Sequence, residues 1–335
     1  MVDREAQIAA FLAAAGWRNA ERRKLAGDAS FRRYERLTQQ GGRAVLMDAA
    51  PPQEDVRPFL AVSAILQRLG LSVPAILARD EASGLLLLED LGDNTYTRLL
   101  AEGADERALY SLAVDVLIHL QRRFDPLAAA VPPYDESRLL AEAALLVDWF
   151  LPAVGLTSVP GDWRESYLAA WRRVLPLATE TATTLVLRDY HVDNLLLLPE
   201  RRGVAGCGLL DFQDAVIGPA SYDLVSLLED ARRDVPRELA VAMIERYLAA
   251  FPGLDRARFM AAYAVLGVQR SCKIVGIFTR LWKRDGKSQY LGHIPRVWRL
   301  IEQDLRHPVL APIAEWLASH IPPAHRCSPS QRRIA

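Results

Sequence analysis

The chain has 335 residues, of which 51% are apolar, and its 41 Lys and Arg residues balance its 41 Asp and Glu residues. A single core seldom grows beyond about 250 to 300 residues, so the length favours two domains. The zero formal charge and the scattered basic residues exclude an extended phosphate-binding surface and predict no nucleic-acid partner. No stretch reaches the ~18 uninterrupted apolar residues of a membrane span, which predicts no membrane association.

The three cysteines, Cys207, Cys272 and Cys327, are odd in number and lack the spacing of a metal site. Such cysteine usage favours a reducing compartment over a disulfide scaffold. The N-terminal segment carries acidic residues and a helical period where a signal peptide would have a basic start and an apolar centre. We therefore predict a cytoplasmic protein.

The first part of the chain reads as a small α+β lobe. Apolar periodicity and turn residues predict, in order, a helix over 3–15, strands over 31–37 and 43–48, a helix over 56–70, and strands over 73–80 and 84–93. From Asn94 onward the period becomes helical, except over 184–214, where three short strand-like runs stand between turn residues. The sequence thus predicts a small β-rich lobe followed by a large, mostly helical one.

Polar residues interrupt an apolar stretch at LRDYHVDNLLLLP. Residues 195–198 and 207–210 predict two antiparallel strands joined by a turn. The start of one strand then lies beside the end of the other, which brings Asn194 and Asp211 together, with Asp189 in the preceding loop. An amide and a carboxylate are oxygen ligands suited to Mg²⁺, and a neighbouring carboxylate can deprotonate a hydroxyl. The alternative is that these residues only form turns, as Asp and Asn often do.

Three motifs resemble those of the aminoglycoside phosphotransferase and choline kinase superfamily. DYHVDN resembles its D-L-H-x-x-N core, LLDFQDA its metal-binding segment, and GPASYDLVSLLED the helix that follows. The resemblance covers nearly the whole chain and implies an α+β, protein-kinase-like bilobal fold. It implies an N-terminal nucleotide-binding lobe over residues 1–92 and a C-terminal catalytic and substrate-binding lobe over residues 93–335.

The resemblance also implies a reaction and a role for each matching residue. It implies ATP as phosphoryl donor and Mg²⁺ as cofactor. The implied roles are a catalytic base at Asp189, magnesium ligands at Asn194 and Asp211, an acid holding the catalytic loop at Asp223, and supporting residues at Arg188 and His191.

Two N-terminal segments resemble nucleotide-binding elements of the family. GDASFRRY resembles the turn that covers the phosphates, which implies Ser30 and Arg33 at the nucleotide. LLLLEDLGD resembles the linker between lobes, where the backbone from Glu89 to Leu91 would bind adenine. An ordinary hairpin lead-in and a plain buried strand are the alternatives for the two segments.

The sequence departs from the family at its phosphate-binding lysine. Met47 stands where a strand lysine is expected, and the following helix, FLAVSAILQRL, offers no acidic partner. Arg32, Arg33 and Arg43 are candidates to replace the charge, with solvated hairpin arginines as the alternative. Arg188 stands where the family commonly has Gly, and it either reaches a phosphate or pairs with an acid.

The combination of GDASFRRY, AVLMDAAPP, LLLLEDLGD and LRDYHVDNLLLL is similar to that of bacterial anomeric kinases of N-acetylmuramate and N-acetylglucosamine. This implies an amino-sugar substrate and a sugar 1-phosphate product for peptidoglycan recycling. Arg270 and Lys273 are three residues apart on a predicted helix and could bind the lactyl carboxylate of muramate, unless they form a solvated face.

Two other functions stay open at this point. A kinase of the same fold could act on an aminoglycoside or a choline-like compound, although a cationic substrate favours an acidic pocket. A nucleotide-binding pseudokinase is suggested by Met47, whereas the joint presence of Asp189, Asn194 and Asp211 argues for catalysis.

Overall fold

The computed structural model describes residues 3–25, 31–156 and 162–331. Its strands in chain order are β1 (Glu21–Lys24), β2 (Arg33–Gln39), β3 (Gly42–Asp48), β4 (Ile76–Asp80), β5 (Leu85–Glu89), β6 (Thr183–Val186), β7 (Leu195–Leu197), β8 (Cys207–Leu209) and β9 (Val216–Pro219).

The helices of these residues fall mainly after β5. In chain order they are α1 (Arg4–Ala14), α2 (Arg57–Arg68), α3 (Tyr96–Ala101), α4 (Glu106–Arg123), α5 (Glu136–Ala143), α6 (Leu151–Ala153), α7 (Trp163–Val174), α8 (Pro176–Thr179), α9 (Tyr222–Leu228), α10 (Arg237–Ala249), α11 (Arg256–Asp285), α12 (Ile294–Asp304) and α13 (Ala311–His320). A π-helical turn over Leu146–Phe150 stands between α5 and α6.

Two units divide the chain. Unit 1 consists of Met1–Val116 and Val192–Asp214, and unit 2 consists of Leu117–His191 and Ala215–Ala335. The units are discontinuous, whereas the lobes predicted from the sequence follow chain order with one boundary after Gly92. That boundary stays a prediction.

Unit 1 contains a five-stranded sheet of order β1-β2-β3-β5-β4, whose neighbours are all antiparallel. The predicted β2–β3 hairpin is confirmed, and Gly41 closes its two-residue turn at a φ of 100° that favours glycine. One face of the sheet, including Leu37 and Leu46, packs on Ile8 and Leu12 of α1. The helix therefore covers one sheet face, and the other face is left to line a cavity.

A second hairpin of unit 1 joins β7 to β8. Leu195 pairs with Leu209 and Leu197 with Cys207, which confirms the antiparallel arrangement predicted for this stretch. The Leu210 N–H then donates to the Asn194 carbonyl at 2.9 Å and continues the ladder by one step. The residues just outside the hairpin are therefore held at one end of it.

Unit 2 is organised around the 30-residue helix α11. The helix begins at Asp255, whose carboxylate caps two backbone N–H groups, and it ends at Gly286, which has a φ of 71°. Gly276 lies so close to the π-helical turn that a Cβ there would come within 2.3 Å of the Leu145 carbonyl carbon. The short strands β6 and β9 pair beside this helical body.

None of the helices in the described ranges has the length and apolar character needed to cross a bilayer. Within the described ranges, Cys207, Cys272 and Cys327 form no disulfide, and the first two are buried.

Candidate active site

Unit 1 contains a cavity of about 270 Å³ on the sheet face that α1 leaves uncovered. Val45 and Leu88 line it from the sheet, and Leu196 lines it from the β7–β8 hairpin. These three side chains give the cavity apolar walls, a chemistry that suits the planar face of a base. Polar groups stand at its edges, as in most small-molecule sites.

The segment after β5 forms one edge of this cavity. Glu89, Asp90, Leu91 and Gly92 all line it, and the predicted contact of their backbone with adenine stays a prediction. Among the described residues, no acceptor receives a hydrogen bond from the Leu91 backbone N–H. Arg36 of β2 fixes the segment through ion pairs of 2.8 Å to Asp90 and to Asp93.

Asn194 and Asp211 line the same cavity from the open end of the β7–β8 hairpin. Asp211 has a φ of 56°, a left-handed conformation that is uncommon for a residue other than glycine and often marks a functional position. Gln213 Nε2 donates to Asp211 Oδ1 at 2.8 Å. An amide and a carboxylate at one edge of an apolar cavity fit an Mg²⁺ ion, which commonly takes few protein ligands and shares its shell with phosphates.

Ser30, Arg33 and Met47 occupy positions that the sequence motifs relate to the nucleotide, and neither Arg33 nor Met47 lines the cavity. Ser30 lies outside the described residues. Arg33 is exposed and does not line the cavity, because it alternates with Tyr34 along β2 and so lies on the opposite sheet face. Met47 is only 1% exposed and lies on the same face of β3 as Val45. An uncharged side chain therefore occupies the position expected for the strand lysine.

Unit 2 holds the other predicted residues around the loop after β6. Asp223, in the first turn of α9, accepts hydrogen bonds from the backbone N–H groups of Leu187 at 2.6 Å and Arg188 at 2.9 Å. Ser226 Oγ donates to the Arg188 carbonyl at 3.2 Å. Burial, and to a lesser degree the charge of Asp189, raises the pKa of Asp223 to about 7. Asp223 thus fixes the backbone of the loop after β6, and the catalytic role of that loop stays a prediction.

Arg188 pairs with an acid of unit 2. Its φ is 71°, where the family's glycine would be unstrained, and its guanidinium forms an ion pair with Glu142 of α5. Glu142 also lies 3.3 Å from Lys273 Nζ and accepts a hydrogen bond from the Tyr134 hydroxyl. One carboxylate therefore holds two cations, and their side chains are only 9% and 17% exposed.

These cations act on Asp189. Burial raises the pKa of the Asp189 carboxyl, but nearby positive charge outweighs it, first from Lys273 and then from neighbours that include Arg188. The pKa is lowered overall, so the carboxylate is ionised at neutral pH and can accept a proton. This is the electrostatic state that a general base needs.

His191 is buried beside this loop and lies 3.2 Å from Arg232 through its Nε2 atom. Burial and the charge of Arg232 lower the pKa of His191. The imidazole is therefore neutral at pH 7 and can accept a hydrogen bond from the guanidinium, which agrees with a supporting role.

Arg270 and Lys273 do not form a solvated face. Both are buried on α11, where Arg270 donates to the Glu229 carbonyl at 3.3 Å and Lys273 binds Glu142. The alternative of exposed helix residues is wrong, because long-range acidic and carbonyl partners compensate the cost of burying the two charges. Their proposed contact with substrate stays a prediction.

A larger cavity of about 640 Å³ lies within unit 2, between the segment after α9 and helices α10, α11 and α12. Its ionisable lining comprises Glu229, Asp230, Arg233, Asp234, Arg237, Arg296, Arg299, Asp304, Arg306 and His307. Arg296 binds both carboxylate oxygens of Asp234 at 2.9 Å. Arginines thus outnumber carboxylates around a space large enough for a monosaccharide.

Two acids of this cavity form a buried pair. The Glu229 and Asp304 carboxyls both lie next to Gly267, and each affects the pKa of the other. Burial raises the pKa of both carboxyls, and for Asp304 the charge of Glu229 raises it further. The pair therefore retains a proton at pH values where ordinary carboxyls have lost theirs. Gly267 leaves room for it, since a Cβ at that position would come within 2.2 Å of Asp304 Oδ2.

Glu142 belongs to none of the motifs described above. In ESRLLAEAALL this acid shares a helical stripe with Leu139 and Leu146, both fully buried. A lone acid within an apolar stripe is the signal that could have identified it, because such a residue needs a buried cationic partner.

The chain matches the phosphotransferase enzyme family over residues 21–260. It is 38% identical to an N-acetylmuramate/N-acetylglucosamine kinase of Caulobacter vibrioides, over 96% of this chain and 97% of that protein. It is 42% identical to a protein of the same name from Pseudomonas aeruginosa, over 91% of each chain.

Solved structures of the same fold include kinases of other substrates. A choline/ethanolamine kinase family protein from Mesorhizobium loti has a TM-score of 0.61 at 13% identity, covering 95% of this chain and all of that chain (100%). A choline kinase from Streptococcus pneumoniae has a TM-score of 0.62 at 11% identity, covering 90% and 99%. At these identities the likeness concerns the fold, and it confirms the predicted protein-kinase-like architecture.

Proposed function

Because the chain belongs to the phosphotransferase enzyme family and is a kinase acting on hydroxyl groups, we propose that it phosphorylates the anomeric hydroxyl of N-acetylmuramate or N-acetylglucosamine. ATP is the donor, and the products are ADP and the sugar 1-phosphate. The choice of sugar is carried by one observation, the 38% and 42% identity to kinases of that name over more than nine-tenths of both chains. The reaction would take place in the cytoplasm, where it would serve peptidoglycan recycling.

In the proposed reaction, Asp189 is the general base. The anomeric oxygen attacks the γ-phosphorus, the bond from that phosphorus to the ADP oxygen breaks, and the hydroxyl proton passes to the Asp189 carboxylate. An anomeric hydroxyl is more acidic than an ordinary alcohol, so one weakly basic carboxylate suffices. The lowered pKa of Asp189 supports this role because it keeps the acceptor oxygen unprotonated.

Unit 1 would bind the nucleotide. The apolar walls formed by Val45, Leu88 and Leu196 suit adenine, and the Leu91 N–H can donate to a ring nitrogen. Asn194 and Asp211 would hold Mg²⁺, which when bound supplies positive charge to the phosphates. Positioning and electrostatics of this kind provide most of the acceleration in phosphoryl transfer.

The large cavity of unit 2 would bind the sugar. Its excess of arginines suits a neutral sugar or one with a carboxylate such as the lactyl group of muramate, and it disfavours polycationic aminoglycosides. Burial favours the protonated form of the Glu229 and Asp304 carboxyls, and a protonated carboxyl can donate a hydrogen bond to an uncharged sugar oxygen. These features support an amino-sugar acceptor over a cationic one.

A phosphorus NMR time course tests the proposal. The purified protein is incubated with ATP, Mg²⁺ and N-acetylmuramate or N-acetylglucosamine, with kanamycin and choline in parallel samples. We expect a new phosphate signal coupled to the anomeric proton, and only with the amino sugars. Turnover restricted to kanamycin or choline would refute the substrate, and absence of product from all four compounds would refute the activity.

A further inference from the structure

Arg32 lies directly before β2 and joins two acidic residues of unit 1. Its Nε atom is 3.9 Å from Glu54 Oε2, and its Nη2 atom is 3.8 Å from Asp211 Oδ1. The side chain is only 11% exposed. Glu54 is fixed in turn, because its other carboxylate oxygen accepts a hydrogen bond from the Phe31 backbone at 3.1 Å. A buried cation therefore stands beside the candidate metal ligand Asp211, with an acid behind it.

Other cations of unit 1 are less suited to binding phosphate. Lys24 is its one lysine, and it is exposed on the edge strand β1. Arg33 and Arg43 are exposed. Arg36 lines the cavity, but two ion pairs of 2.8 Å tie it to the adenine-side segment. Arg32, by contrast, lies next to Asp211.

We propose that Arg32 and Glu54 replace the missing lysine and its acidic partner, with Arg32 binding the nucleotide phosphates and Glu54 orienting its guanidinium. This rests on the proposed function, since it presumes that unit 1 binds ATP. A phosphate bound to a metal at Asp211 carries oxygens within reach of a group that neighbours Asp211. A guanidinium binds such oxygens through two parallel N–H groups, which a lysine cannot do.

Nucleotide binding, measured by isothermal titration calorimetry, separates this role from a structural one. ATP with Mg²⁺ and adenosine are each titrated into the unsubstituted protein and into Arg32→Met. We expect the Kd of ATP to rise about 10- to 100-fold, as for loss of a charged hydrogen bond, while the Kd of adenosine changes less than about twofold. A purely structural arginine would weaken both ligands alike, and that result would overturn the inference.

Three further variants sharpen the comparison. Arg32→Lys should bind ATP more tightly than Arg32→Met does, because a lysine restores the positive charge but not the two parallel N–H donors of the guanidinium. Glu54→Gln should weaken ATP binding less than Arg32→Met does, since it disturbs only the orientation of the guanidinium. Arg57→Met is the matched control, because Arg57 is an exposed arginine whose partner is its neighbour Asp55. An unchanged ATP affinity in Arg32→Met, or a loss in Arg33→Met instead, would overturn the assignment.

Failure of the proposed function gives a different result. If the unsubstituted protein binds neither ATP nor adenosine, the nucleotide-binding proposal fails and this inference fails with it. If the unsubstituted protein binds ATP and Arg32→Met binds it equally well, only the role of Arg32 is refuted. If circular dichroism shows that Arg32→Met is unfolded, Glu54→Gln and Arg32→Lys serve as the test instead. The inference would be overturned if both variants bound ATP as tightly as the unsubstituted protein.

Discussion

The charge clusters of the two units are opposite in composition. In unit 1 a single cation, Arg32, lies between two carboxylates, Glu54 and Asp211. In unit 2 a single carboxylate, Glu142, lies between two cations, Arg188 and Lys273. Of the three side chains named in each unit, two are carboxylates in unit 1 and two are cations in unit 2.

The sign of the more numerous charges determines whether each cluster favours a cation or an anion beside it. The extra carboxylate of unit 1 favours a bound cation, which suits Asp211 as a metal ligand. The extra cation of unit 2 favours an anion nearby, and it lowers the pKa of Asp189.

Removing the proposed base, Asp189, should have the largest effect. In Asp189→Asn we expect kcat to fall about 10³-fold, because an amide cannot accept the hydroxyl proton. The Kd of ATP should stay within about twofold, since the cavity residues all belong to unit 1. Asp285→Asn, an exposed acid at the end of α11, is the control for kcat. Activity retained in Asp189→Asn would disprove the assigned base.

Removing the shared acid of unit 2 should be the next largest effect. Glu142→Gln leaves two buried cations without a counter-charge, and we expect the free energy of unfolding to fall by about 3 kcal/mol. Urea denaturation followed by tryptophan fluorescence measures it. Glu165→Gln breaks the exposed pair with Arg172 and should cost less than about 0.5 kcal/mol. Equal losses in the two variants would contradict the difference between buried and exposed pairs.

Removing one cation should change the pH dependence of activity. Lys273→Met deletes the strongest of the charges that lower the pKa of Asp189, so this pKa should rise. The acid limb of the kcat/KM profile should therefore move to higher pH. Lys283→Met, on the same helix but exposed, should leave the limb in place. If the acid limb of Lys273→Met stays at the same pH, a group other than Asp189 controls that limb.

The smallest effect is expected at the Glu229–Asp304 carboxyl pair of the large unit 2 cavity. Asp304 has a raised pKa in the folded protein, so its contribution to stability is complete below about pH 4 and is lost as the pH rises through the folded pKa. Asp223, with a pKa of about 7, acts in the same direction. Asp304→Asn keeps a hydrogen-bond donor beside Glu229 and removes the titration.

The Tm of the unsubstituted protein should therefore fall more steeply between pH 5 and pH 8 than that of Asp304→Asn, by a few degrees. Differential scanning calorimetry at both pH values measures the difference. Glu302→Gln, an exposed acid on the same helix, should follow the unsubstituted protein. Parallel pH dependence of the Asp304→Asn and unsubstituted proteins would contradict a shared proton.

The local sequence was sufficient to predict that Asn194 and Asp211 lie at the same end of one hairpin. Their hairpin is short and antiparallel, so its register follows from apolar runs and one turn, as the pairing of Leu195 with Leu209 confirms. Strand β1 was not predicted, because ERRK has none of the alternating apolar residues of a half-buried strand, and its charges suit a sheet edge.

The partners of the buried charges could not be predicted. Glu142 and Arg188 are 46 positions apart, and Glu54 lies in a turn before α2 rather than on the helix where an acid was sought. Such contacts depend on how distant elements pack, which no local pattern encodes. The left-handed φ of Arg188 could not be predicted either, because an arginine gives no local indication of such a conformation.

The discontinuity of the units constrains how this chain can be recombined. Exchanging unit 1 whole requires breaks after residues 116, 191 and 214, because the chain passes between the units at those places. A segment spanning 189–211 can instead be exchanged with two breaks, and it carries Asp189, Asn194 and Asp211 together. Divergence after residue 222 would leave these three residues intact. The residues to which we assign phosphoryl transfer thus lie in one short block, apart in sequence from the helices that line the proposed acceptor cavity.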